Sequence, residues 1–187
     1  MTWFIDGGAH RGESIKLARQ LYDSPLSIIA VEPACECLDD LACQGVLIIP
    51  AALSTSPGRA TLYRGDHEVS ATLIVEKTTG GVSRDRAETV PTVTLHSILD
   101  ALHSDDVVHL KLDIEGAEYD VLEQAIEIGS LRRVTNLYVD FHADRIPHLR
   151  DRHNALVEHL LSAGYPLPKW SPGENSVYPW GRKWLLS

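Results

Sequence analysis

Apolar runs and stretches of helical period alternate along most of the chain. Residues 2–6 (TWFID) form a short run of strand type, and residues 12–22 then carry Ile15, Leu17, Ala18, Leu21 and Tyr22 at helical spacing. Residues 26–33 (LSIIAVEP) are apolar up to a near-terminal acid, the pattern of a strand buried on both faces of a parallel sheet. A helix is predicted over 34–44, with Leu38, Leu41 and Ala42 turned inward, and a third strand over 46–53 (VLIIPAAL). This β-α-β-α-β succession is the half-unit of a doubly wound α/β fold.

The middle of the chain breaks the rhythm. Residues 52–65 place Ser56, Pro57 and Gly58 between two short alternating runs, so a β-hairpin is expected after the third strand. Residues 65–89 are polar, with Thr78, Thr79, Gly80 and Gly81 in succession, and read as a loop over a site. Alternation then returns: a strand over 89–95, a helix over 95–102, a strand over 107–116 that runs into a turn, and a helix over 117–129 stopped by Gly129. A strand over 134–142 and a helix over 147–162 follow. Two candidate strands in the tail, around residues 165–170 and 182–187, are expected to pair in antiparallel fashion at one sheet edge.

A chain of 187 residues without a linker or a repeat is expected to be a single domain over 1–187. Its 17 basic and 26 acidic side chains give a formal net charge of -9, which makes nucleic acid a poor partner. Cys35, Cys37 and Cys43 are odd in number and closely spaced, which suits reduced thiols rather than a disulfide framework or a zinc site. No apolar stretch approaches the roughly 18 residues of a membrane span, and no basic-then-apolar leader is visible. A soluble, cytoplasmic protein with no membrane partner is therefore expected.

In an open α/β sheet the ligand sits beyond the carboxyl ends of the strands, where strand order reverses. The residues that follow the predicted strands are Asp6-Gly7-Gly8, Glu32-Pro33, Ala51-Ala52-Leu53, Asp113-Ile114-Glu115 and Asp140-Phe141-His142, and all but one of these sets carry an acid. Gly7, Gly8 and Gly12 allow a sharp turn and close approach of a ligand to the backbone. Glu32 follows Gly12 at about the distance at which a ribose-binding carboxylate belongs. An adenosine-containing ligand fits both features. NAD would lay a pyrophosphate over a turn flanked by Asp6, and the glycines depart from G-x-G-x-x-G. S-adenosylmethionine carries no phosphate, and its sulfonium and ammonium are cations that acids attract. A helix N-terminus after the turn suits its carboxylate.

The segments D-G-G-A-H-R-G-E-S (6–14), A-V-E-P (30–33), A-A-L-S (51–54), S-A-T-L (70–73), V-T-L-H-S-I-L (93–99) and L-K-L-D-I-E-G-A-E-Y-D-V-L (110–122) resemble, in order and spacing, the FkbM family of S-adenosylmethionine-dependent methyltransferases. The resemblance covers roughly residues 2 to 142, and the last block is its most specific part. It implies a Rossmann-like class I methyltransferase sandwich, with a mostly parallel seven-stranded sheet whose last strand is antiparallel. It implies methyl transfer to a hydroxyl, often of a sugar or glycan. By position it implies that Asp6, Gly7, Gly8, Ala9, His10 and Gly12 surround the methionine part of the donor, with His10 where many members carry Asn. Glu32 and Pro33 would meet the ribose, Ala52 and Leu53 the adenine, and Asp113 and Glu115 the transferred methyl.

Methyl transfer to a hydroxyl needs in-line placement and removal of a proton. Asp113, His142 and Asp140 are the candidate bases, with His142 attractive because imidazole titrates near neutral pH. Lys111 is a further catalytic candidate whose direction in its strand is open. Asp113, Asp140 and Glu115 have the oxygen chemistry for a divalent cation, but no metal is predicted. A small molecule or glycan is the expected acceptor. The alternatives are an NAD-dependent oxidoreductase or epimerase, against which the departure from G-x-G-x-x-G speaks, and a non-catalytic binding module.

Overall fold

A computed structural model describes residues 1–22, 25–67 and 70–167. Its elements run β1 (Thr2–Gly7), α1 (Glu13–Leu21), β2 (Ser27–Val31), α2 (Leu38–Ala42), β3 (Leu47–Ile49), β4 (Ala52–Leu53), β5 (Gly58–Tyr63), β6 (Ala87–Val93), α3 (Leu95–Asp100), β7 (Val107–Leu112), α4 (Glu118–Ile128), β8 (Asn136–Val139) and α5 (Arg150–Ser162). Short 3-10 turns precede α2, follow α4 and precede α5.

Five strands form an all-parallel sheet in the order β3-β2-β1-β7-β8. The chain winds outward from β1 through β3 and returns to place β7 on the other side of β1, so strand order reverses between β1 and β7. Both faces are covered, as a parallel sheet requires. Ile15 and Ala18 of α1 and Leu41 of α2 pack on Phe4, Ile28 and Ala30. Leu99 of α3, Tyr119, Leu122 and Ala125 of α4 and Leu156 and Leu160 of α5 pack on Ile5, Ile29, Leu110, Leu112 and Leu137. Successive strand residues thus serve opposite layers.

Two predicted features take a different form. Residues 46–53 do not make one strand. Pro50 has no N–H to continue the ladder, the Ala51 N–H turns back to the Ile49 carbonyl at 2.8 Å, and the chain leaves the parallel sheet. Ala52 and Leu53 then pair with Thr92 and Val93 of β6 in a second, three-stranded sheet ordered β4-β6-β5. The expected hairpin over 52–65 is likewise replaced. Its two arms belong to one sheet, but β6 lies between them, parallel to β4 and antiparallel to β5. The turn between β4 and β5 is instead held over the end of β6 by Ser54 N–H to Val93 O (3.0 Å) and Thr92 Oγ1 to Ser56 O (2.9 Å).

The described residues therefore give five strands in the main sheet. The tail strands expected around residues 165–170 and 182–187 fall largely or wholly outside the described residues, and so does the seven-strand count that rests on them. No helix among the described residues is long and apolar enough to cross a membrane.

Candidate functional site

The turn after β1 is set by glycine geometry. Gly8 (φ +75°) and Gly12 (φ +85°) are left-handed, and a β-carbon at Gly8 would stand 1.9 Å from the Asp113 carbonyl oxygen. Gly7 has ordinary backbone angles but no room: a β-carbon would meet Leu53 and Leu112 at 2.7 and 2.8 Å. His10 is also left-handed, at φ 45°, a region where Asn, Asp and His are the enriched non-glycine residues. The backbone thus accounts for a polar side chain at position 10. The Gly8 N–H bonds Val31 O at 3.0 Å, which closes the turn over the end of β2.

Glu32 ties this turn to the next strand end. Its Oε2 accepts from the His10 N–H at 2.8 Å and its Oε1 from the Ala34 N–H at 2.9 Å. Burial raises its pKa in spite of both bonds. A carboxylate oxygen that holds one N–H still has lone-pair capacity for a ligand hydroxyl.

Asp6 and Lys111 are register partners in the parallel β1–β7 pair, so their side chains leave the same face of the sheet. The Lys111 ammonium lies 3.1 Å from Asp6 Oδ1 and donates to Gly8 O at 3.0 Å, with Asp113 Oδ2 at 3.8 Å. Asp6 is completely buried, and desolvation lifts its pKa to about 6 against the pull of Lys111. Burial works against the charge on Lys111, but Asp6, Asp113 and Asp140 outweigh it and raise its pKa. The ammonium therefore stands between Asp6 and the ligand space.

The turn between β7 and α4 is a second polar centre. Glu118, fully buried, accepts from Ile114 N–H (2.7 Å) and Gly116 N–H (2.9 Å) and faces His142 Nδ1 at 3.1 Å. His142 Nε2 lies 3.7 Å from Asp113 Oδ1 and 3.4 Å from Glu115 Oε2. Burial opposes a charge on His142, but Glu118, Glu115 and Asp113 outweigh it and push its pKa up to about 10. This shift favours the imidazolium, which gives hydrogen bonds and is a poor proton acceptor. Asp140 is open to the cavity while protein crowds round its carboxyl. Partial desolvation, with help from Asp113, raises its pKa to about 6.

A cavity of about 890 Å³ opens over these strand ends, within the range of small-ligand sites. Gly8, Ala9, His10, Glu32, Pro33, Ala52, Leu53, Lys111, Asp113 and Glu115 line it, so most of the predicted residues converge on one space. Asp6, Gly7, Gly12 and His142 stand behind its wall and shape it from there. The cavity continues past Asp140 and Phe141 to Arg145, Arg150 and His153 near the start of α5. Its charged lining is Glu13, Glu32, Asp113, Glu115, Asp140, Asp144 and Asp151 against Lys111, Arg145 and Arg150.

Several residues of the site carry no readable sequence signal. Lys77, from the segment between β5 and β6, is buried and ion-paired with Glu115. Thr72 donates through Oγ1 to Glu115 O at 2.7 Å. Both lie in a polar, aperiodic stretch, where only the short S-A-T-L run stands out. Glu118 sits inside the most specific block, three residues after Glu115, but the helix N-cap is Ala117 and no Ser, Thr, Asp or Asn stands at capping-box spacing to mark it.

A doubly wound sheet with a cavity at its switch point defines the class of open α/β proteins whose ligand sites lie beyond the carboxyl ends of the strands. Residues 6–167 match the model of the Methyltransferase FkbM domain, and the chain belongs to that family. The fold is also that of a solved structure, Methyltransferase FkbM from Methylobacillus flagellatus KT, with a TM-score of 0.52 at 16% identity. That match covers 84% of this chain and 38% of the other, so this chain spans well under half of its neighbour's length. No curated protein matches the chain.

Proposed function

We propose that the cavity binds S-adenosylmethionine and that the protein transfers a methyl group to a hydroxyl, of a sugar or glycan. The carrying observation is the carboxylate-rich lining of the cavity beside a glycine turn. It suits a cationic adenosine ligand and opposes a pyrophosphate. The residues fit the donor in three further respects. The absent β-carbon of Gly8 keeps the turn close to Asp113, Glu32 keeps free lone pairs beside Pro33, and Ala52 and Leu53 offer an apolar wall.

When bound, S-adenosylmethionine supplies a methyl group already activated on a sulfonium. The protein's own work is placement and proton removal. Glu32 holds the ribose end. Lys111 fixes the turn through Gly8 O and keeps Asp113 oriented. His142, an imidazolium, holds Asp113 and Glu115 in place and acts as a hydrogen-bond donor rather than as the base. Asp140 takes the acceptor proton, because it faces the cavity and its raised pKa suits a base near neutral pH. Phe141, Arg145, Arg150 and His153 frame the acceptor end.

Calorimetry with S-adenosylhomocysteine and with NADH tests this reading. S-adenosylhomocysteine is expected to bind one-to-one and NADH not at all, and Glu32→Ala should abolish the first. Binding of NADH alone would transfer the site to dinucleotide chemistry.

A further inference from the structure

We propose that Lys77 is a positioning residue whose ammonium, delivered by the strap 70–86, holds Glu115 in the site and serves as the resident cation at the Glu115 carboxylate. The proposal rests on the donor-binding reading above only for its ligand test.

Lys77 is 5% exposed, and lysine is almost never buried without a partner. Its partner is Glu115 Oε2, 38 positions along the chain, the same oxygen that faces His142 Nε2 at 3.4 Å and Arg145 Nη1 at 3.7 Å. The Glu115 backbone is left-handed at φ 57°, and Gly116 follows at φ 115°. The turn therefore presents this carboxylate at a cost that something must offset.

The strap is pinned on both sides of Lys77. Thr72 Oγ1 donates to Glu115 O at 2.7 Å, and Thr78 donates through N–H and Oγ1 to Arg145 O at 2.8 and 2.9 Å. The same strap lines the cavity with Ala71, Thr72 and Leu73. One segment thus walls the ligand space and fixes the charge cluster next to it.

Asp113, Glu115 and His142 each offer a ligand atom within 4.8 Å of the others, a spacing that would suit a divalent ion. The lysine already sits on Glu115 Oε2, the oxygen that faces His142 Nε2, and its displacement would strand a buried ammonium. The Glu115 carboxylate thus already carries a covalently attached cation.

The test uses the full chain with Lys77→Met, Lys77→Arg, Glu115→Gln and the Lys77→Met/Glu115→Gln pair. Amide hydrogen exchange over residues 70–78 is the first readout, with β1 and β7 as internal controls for global folding. Lys77→Met should speed exchange there by about tenfold or more while β1 and β7 stay protected. Lys77→Arg should bring it back to within about threefold, and the double variant should exchange no faster than Glu115→Gln alone. S-adenosylhomocysteine affinity should follow the same order, with a loss of about tenfold in Lys77→Met, or ~1.4 kcal/mol. Titration of the unaltered protein with MnCl2 should give no one-to-one site.

Unchanged exchange in Lys77→Met overturns the proposal. So does a Lys77→Arg variant as loose as Lys77→Met, which would reduce the role to packing of the stem. One-to-one manganese binding that Glu115→Gln abolishes would show that the lysine is not the resident cation. If S-adenosylhomocysteine fails to bind the unaltered protein, the donor reading falls, and the exchange data still decide the role of Lys77.

Discussion

A β-carbon at Gly8 would stand 1.9 Å from a backbone oxygen in a left-handed conformation, whereas one at Gly129 (φ +81°) would meet nothing within 4 Å. The two glycines separate conformation from space. Gly129→Ala should cost only the backbone strain, about 1 kcal/mol, and leave ligand binding intact. Gly8→Ala must also push β1 and β7 apart at the site, so it should cost about 2–4 kcal/mol and eliminate binding of S-adenosylhomocysteine. Urea unfolding of both variants, with calorimetry, checks the contrast; equal losses would mean that the Asp113 carbonyl yields freely. At this scale the convergence of many candidate residues on one cavity was legible. Gly8, His10, Glu32, Asp113 and Glu115 follow strands in the sequence and line one cavity in the structure. The depth of Asp6 was not legible, because an acid at a strand end reads the same whether it faces a ligand or a lysine. Only the register with Lys111 decides it.

The turn from β7 into α4 is the element in which charge and geometry are most tightly joined. Glu118 holds the turn by two backbone N–H groups and holds His142 by its ring, and the cost of burying an imidazolium is met by three carboxylates. The folded pKa of His142, about 10, lies above its ordinary value of 6.5. The folded state therefore binds a proton that the unfolded state releases, and this stabilisation is complete below pH 6.5 and is lost as pH rises towards 10. Stability should fall by a few kcal/mol across that window, and His142→Gln should flatten the fall. Denaturant titrations at pH 6, 8 and 10 on both proteins measure the difference; parallel pH dependence would remove the ion from the turn. The helices and parallel strands around this turn were legible from period and cap signals. The second sheet was not. Pro50 inside an apolar run and a Ser-Pro-Gly turn look like a strand and a hairpin, and the pairing of β4 and β5 with a distant β6 is a long-range choice that no local pattern records.

Across the whole molecule, the cavity is bounded by the turn after β1, α1, β2, β4, β5, β7, β8, α5 and the strap, so a ligand there touches both sheets and both halves of the chain. Such a ligand, bound to the folded state alone, should stabilise the protein as one unit. At a free concentration one hundred times its Kd, S-adenosylhomocysteine should add about 2.7 kcal/mol. For a domain of this size that corresponds to a rise of roughly 5–10 °C in Tm. NADH at the same concentration should leave Tm unchanged. Glu32→Ala should act twice. It removes the carboxylate that holds the His10 and Ala34 N–H groups, which should lower the Tm of the free protein. It also removes the proposed ribose contact, so the ligand-dependent rise should vanish. The two effects are separable, because Glu32→Gln keeps one acceptor for the His10 N–H and should recover part of the free-protein Tm while the ligand rise stays small. A Glu32→Ala protein that still gains the full rise would detach the donor from the end of β2, and with it the placement of adenosine across the switch point.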